Sequence, residues 1–117
     1  MTVGGHRSER VAEEIQHEVS LMLAGELKDP RLAAAVGVTE VRMTADMRTV
    51  RVYVQCEGDD AERERAMEGL KAASGFVRHE LTERLHLRRS PDVLFVPDTS
   101  EEYGQHIDDL LKKIKET

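Results

Sequence analysis

The chain has 117 residues, of which 39% are hydrophobic, 34% charged and 3% aromatic, with a formal net charge of −6. That length and hydrophobic content build one domain with a modest core and exclude wholesale disorder. No apolar run approaches a membrane span, no signal-peptide pattern follows Met1, and the single cysteine, Cys56, has no partner for an internal disulfide, so a soluble cytoplasmic protein is expected.

A negative total argues mildly against nucleic acid as a partner, but the charges are sorted along the chain. Glu57 to Glu68 holds six acidic residues and two arginines, a net −4. Lys71 to Pro91 holds five lysines and arginines and two acids, a net +3 with histidines neutral.

In chain order, residues 1–6 contain Gly4-Gly5 and no periodicity, and are expected to form a flexible arm ahead of a domain spanning 7–117. Ser8 can cap a helix starting at Glu9. Val11, Ile15, Val19, Met22 or Leu23, and Leu27 then recur at helical spacing, and Asp29 before Pro30 ends the helix near Leu27 or Lys28. Arg7 and Arg10 stand at its start, the unfavourable end of the helix dipole, either as solvated charges or as a basic arm aimed at an anion.

Val36 to Thr44 reads as a strand whose apolar positions change phase between Val38 and Val41, which predicts a bulge or a later start. Thr49 to Cys56 alternates cleanly: Val50, Val52, Val54 and Cys56 face one way, Thr49, Arg51, Tyr53 and Gln55 the other. The short link between the two strands predicts an antiparallel pair. Cys56 continues the alternation and reads as a small core residue rather than a nucleophile.

Gly58-Asp59-Asp60 closes the second strand and can cap the central helix. Met67, Leu70, Val77, Leu81 and Leu85 form its apolar stripe, with Ala73 and Ser74 filling the gap. Gly75 lies inside this stretch, where it costs about 1 kcal/mol relative to Ala. Phe76 falls off the stripe of a straight helix, so a kink at Ala73-Ser74-Gly75 is expected, bringing Phe76 inward. Lys71, Gly75, Arg78 and Thr82 share one face. Gly75 is thus either a site of close approach flanked by cations or a small residue against which another element packs.

Ser90-Pro91 ends this helix, and Val93 to Val96 forms a third strand stopped by Pro97. Strand, long helix and strand make a right-handed crossover, so the second and third strands are expected to be parallel. Thr99 with Glu102 predicts a capping box for a last helix carrying Ile107, Leu110, Leu111 and Ile114.

The chemistry of an enzyme is not found. His79-Glu80-Leu81-Thr82-Glu83 resembles a zinc-protease helix but lacks the second histidine. His17, His79, His86 and His106 have no ligand spacing around them. No nucleophile elbow, phosphate loop or dinucleotide fingerprint is present. No metal, no cofactor and no catalytic residue are expected. Aromatic residues are too few to stack several bases on a sheet.

The order αββαβ with a trailing helix resembles an α+β KH-like domain of the bacterial type (type II), a three-stranded sheet packed on helices. The usual Gly-x-x-Gly clamp is replaced by Ala73-Ser74-Gly75. In this the chain resembles the ribosome-binding factor A family, whose KH-like domain carries an Ala-x-Gly kink. Four further stretches are similar to that family: Glu26 to Arg31, Gly75 to Leu81, Leu87 to Pro91 running into Leu94-Phe95-Val96, and Tyr103-Gly104 leading into Ile107 to Leu111.

The resemblance implies a non-enzymatic assembly factor, monomeric and without membrane contact. Such a factor binds the immature small (30S) ribosomal subunit, contacts its 16S rRNA and supports maturation of that RNA, notably in the cold. Arg7, Arg10, Lys71, Arg78, Arg88 and Arg89 would contact phosphates, and Ser74 and Gly75 would let the RNA backbone approach. The chain departs from the basic C-terminal tails common in the family. The competing reading is an adaptor of similar fold, whose acidic Glu57 to Glu68 segment meets a basic partner such as a ribosomal protein.

Overall fold

The computed structural model of the protein describes residues 3–99, with side chains from Arg7 onward. The last helix expected after Thr99, and the Tyr103 to Leu111 motif, lie outside the described residues.

The first described element is a helix, α1 (Val3–Leu21), which continues through a π-helical turn, Met22–Glu26, and ends at Leu27. The Leu27 N–H donates to the Met22 carbonyl five residues back, at 2.9 Å. The C-terminal end is where the sequence predicts it, but the N-terminal end is not. Ser8 is no cap; it is an interior helical residue only 6% exposed. The reason is its phase: Ser8, Ala12, Ile15 and Val19 form one buried face, so a cap at Ser8 would waste a core position.

A short 3₁₀ helix, Pro30–Ala34, follows. Asp29 caps it, accepting from the Arg31 N–H at 2.9 Å and from the Arg31 guanidinium at 2.7 Å. Strands β1 (Ala35–Met43) and β2 (Thr49–Cys56) form an antiparallel pair, and β3 (Asp92–Pro97) joins β2 in parallel, giving the order β1-β2-β3. The phase change in β1 is a pair of register shifts, between Ala35 and Gly37 and between Val38 and Glu40. They turn Val36 outward, 55% exposed, while Val41 stays in the core.

Between β2 and β3 runs the long helix α2 (Asp60–Arg84). Its start is a reciprocal capping box: Glu62 N–H donates to Asp59 Oδ1 at 2.8 Å, and Asp59 N–H to Glu62 Oε1 at 3.3 Å. Gly58 supports it with a φ of +100°, and a side chain there would stand 3.0 Å from that of Glu62.

The core lies between one face of the sheet and the two helices. Val50, Val52 and Val54 are fully buried beneath Ile15, Val19 and Met22 of the α1 region and Leu70, Val77 and Leu81 of α2. Each such side chain contributes roughly 1.5–3 kcal/mol relative to exposure. α1 packs chiefly over β1, and α2 over β3 and the 3₁₀ helix. Cys56 is half-buried against this core, and burial pushes its thiol pKa up, consistent with a packing residue.

Through Ala73-Ser74-Gly75 the backbone of α2 stays helical, without a break from Asp60 to Arg84. Phe76 is not drawn inward but stands 47% exposed. The buried positions Ala66, Leu70, Val77 and Leu81 keep helical spacing across the glycine, and their burial outweighs the small intrinsic cost of Gly75. Ser74 instead returns its hydroxyl to the Lys71 carbonyl at 2.7 Å, a bond made within the helix.

Candidate nucleic-acid interface

Four of the six cationic residues singled out in the sequence, Arg7, Arg78, Arg88 and Arg89, fall into two depressions. The first is a cleft of about 400 Å³ between the first turns of α1, the β1–β2 turn and the loop after α2. Arg7, Arg88 and Arg89 line it together, although Arg7 is far from the other two in sequence. Its remaining walls include Met43, Asp46, Met47, Leu85 and Leu87.

Two local structures shape this cleft. In the β1–β2 turn, Asp46 Oδ1 accepts from the Thr44 hydroxyl at 2.6 Å and from the Arg48 N–H at 3.1 Å. These bonds, the hydroxyl first, hold its carboxyl below the usual aspartate range. Met47 takes a φ of 60° to close the turn. At the end of α2 the Leu87 N–H bonds the Thr82 carbonyl at 3.1 Å, the long bond of a Schellman motif. His86 occupies the left-handed position there, with a φ of 52°, where glycine is usual. That motif reverses the chain and brings Arg88 and Arg89 toward Arg7.

The second depression, about 320 Å³, lies where Ser74, Gly75 and Arg78 of α2 meet Thr49, Asp92 and Leu94 at the start of the parallel strands. Gly75 is exposed, and a β-carbon added there would meet nothing within 4 Å. No element packs against it. The glycine that another element does press is Gly69, where a β-carbon would stand 2.9 Å from Leu32 Cδ2 and 3.1 Å from Arg31 Cβ.

Arg78 is partly committed to the fold. Its guanidinium donates to the Ser90 carbonyl at 3.0 Å and lies 3.7 Å from Asp92. The Thr82 and Ser90 hydroxyls share a bond of 2.7 Å. Arg78 and Thr82 therefore fasten the loop that carries Arg88 and Arg89, linking the two depressions. Lys71 is exposed one turn before Ser74, outside both. Arg10 is exposed on α1 and does not line the cleft.

Sequence reasoning missed Asp46, Met47, His86 and Leu87 in the first depression, and Thr49 and Leu94 in the second. Pattern could have flagged only the turn around Asp46. The left-handed backbone of His86 has no signature in residue type. Among the described residues no group of three His, Cys, Asp or Glu side chains is placed to hold a metal, and no helix is long and apolar enough to cross a membrane.

The family model for ribosome-binding factor A matches residues 7–111. The ribosome-binding factor A of Clostridium tetani is 44% identical over 111 residues, covering 95% of this chain and 92% of that one. The crystal structure of ribosome-binding factor A from Thermus thermophilus superposes with a TM-score of 0.67 at 26% identity, over 77% of this chain and 94% of that one. A Thermus thermophilus homology model fitted into the cryo-EM map of a 30S complex matches with a TM-score of 0.55 at 28% identity, over 74% and 93%. Residues 7–111 span both depressions and the three described strands, and the chain belongs to the ribosome-binding factor A family.

Proposed function

We propose that the protein is a non-enzymatic assembly factor that binds the immature 30S subunit through its 16S rRNA and supports maturation of that RNA, notably in the cold. It would work as a cytoplasmic monomer. The observation that carries this reading is the convergence of Arg7 with Arg88 and Arg89 in one cleft of a chain matched to the family along residues 7–111. The related Thermus protein fitted into a 30S map supports the choice of subunit.

A chain of net charge −6 gains nothing from its total field when it meets a polyanion. Binding must come from a local cationic surface. Arg7, Arg88 and Arg89 supply one, and exposed Lys71 and Arg10 extend it along the two helices. Gly75 offers an open stretch of helix backbone beside Arg78.

Sedimentation of the tagged protein with separated subunits tests this. It is expected with small subunits and not with large subunits or translating ribosomes. The variant R7A/R88A/R89A should lose that association while staying folded, because all three residues are exposed. Arg78 is left out because its loss would release Ser90. The control is E64A/E68A on the acidic face of α2, which should bind normally or better. If instead the acidic variant fails and the arginine variant binds, the chain docks as an adaptor on a basic partner.

A further inference from the structure

The cleft around Arg7, Arg88 and Arg89 has features that phosphate binding does not use. Phosphates are met by cations and by N–H or O–H donors, and an apolar wall adds nothing to such a contact. Here the same walls carry Met43, Met47, Leu85 and Leu87, a floor of thioethers and leucines. Asp46 lines the cleft as well, and its ionised carboxylate would repel a phosphate placed deep inside. The interior therefore suits a neutral, largely apolar group, while the arginines suit an anion beside it.

The backbone points to the same place. Met47 and His86 are the two non-glycine residues with positive φ among those described, and both line this cleft. Residues held in such conformations concentrate at ligand sites. At about 400 Å³ the cleft falls within the range of small-molecule pockets, about 300–1,000 Å³.

We propose that this cleft holds one unstacked nucleotide of a single-stranded RNA segment, its base against Met43, Met47, Leu85 and Leu87 and its neighbouring phosphates on Arg7, Arg88 and Arg89. Methionine is polarisable and adapts to a flat ring, and guanidinium planes stack on bases. Asp46 can accept from an amino group on the base edge, Oδ1 being taken by Thr44 and Arg48 and Oδ2 remaining for the base. The inference rests on the RNA reading above and adds that the contact is to a loop, bulge or end rather than to a duplex.

The test uses the full chain with carbon-13 methionine methyls. Three probes are added: a single-stranded RNA hexamer, the same strand annealed to its complement, and an abasic ribose-phosphate chain of equal length. The hexamer should shift the Met43 and Met47 methyl signals, and the other two should leave them in place. Met47→Gly removes the side chain at a position whose φ of 60° suits glycine, so the variant should fold. It should weaken hexamer binding by about fivefold or more and leave abasic binding unchanged.

Hexamer binding that leaves the methyls unmoved, absence of hexamer binding at low salt, or equal binding of hexamer and abasic chain overturns the pocket. If R7A/R88A/R89A still abolishes subunit association in those cases, the phosphate-binding surface stands without the pocket. If a leucine-containing acidic peptide moves the methyls and the hexamer does not, the occupant is a protein and the nucleotide proposal is wrong.

Discussion

Gly69 and Gly75 stand on the same helix and answer to opposite constraints. Gly69 is buried where a β-carbon would meet Leu32 and Arg31 of the 3₁₀ helix. Gly69→Ala gains about 1 kcal/mol of helix propensity but overpacks a site at a cost of about 1–3 kcal/mol. A net loss of up to about 2 kcal/mol is expected in urea denaturation. Gly75→Ala meets open space, so the propensity gain of about 1 kcal/mol is unopposed. The midpoint should rise. If RNA backbone does approach Gly75, that same stabilised variant should bind subunits more weakly, a combination that no folding defect produces. His86→Gly at the left-handed end of α2 should stabilise by about 1 kcal/mol or less, the strain relieved being partly offset by the freer unfolded chain. A lower urea midpoint for this variant would show that the imidazole makes an interaction worth more than the strain.

At the scale of elements, α2 is tied to the α1 region by one side chain. Arg84 reaches Glu26 at 2.6 Å, Glu80 at 3.1 Å and Glu18 at 3.2 Å, so three carboxylates on three helical segments share one guanidinium. The hydrogen bond from Arg84 is the main reason that Glu26 titrates below its ordinary range, and the bond from Arg31 does the same for Asp29. A depressed folded pKa contributes stability that is present above the unfolded value, about 4 for these groups, and is lost as pH falls through the folded value. Stability measured by urea midpoint should therefore hold from neutral pH down to about 4 and fall below it. Arg84→Met keeps much of the packing and removes the charge. It should flatten the part of that acid dependence that belongs to Glu26, leaving the parts from Asp29 and Asp46. An unchanged profile would mean that the network contributes nothing measurable, which is common for exposed pairs.

At the scale of the whole molecule, the arginines act against an acidic background. Removing one phosphate-binding cation should lower the magnitude of the log-affinity versus log-salt slope by roughly 0.7 to 0.9. R7A/R88A/R89A should thus flatten the slope for subunit association by about 2 to 3. Arg10→Ala, which lies outside the cleft, should flatten it by about 1 or not at all. Equal effects from Arg10→Ala and from the triple variant would mean that a diffuse field rather than the cleft drives binding. Measuring the slopes at several salt concentrations separates the two.

Periodicity by itself determined the strands and the long helix, because alternation in β2 and the helical stripe in α2 each bury one face, and the lengths of the connections then set which strands run parallel and which antiparallel. The phase change in β1 likewise announced its bulges. The start of the first helix was decided in three dimensions. Ser8 is a cap by residue type but a core position by its place over β1. The cleft was least legible of all. Arg7 meets Arg88 and Arg89 because α1 lies over β1 and a Schellman turn at His86 reverses the chain beside it. Which glycine is crowded, Gly69 or Gly75, depends on where the 3₁₀ helix lands, and that is a property of packing between distant segments rather than of either segment alone.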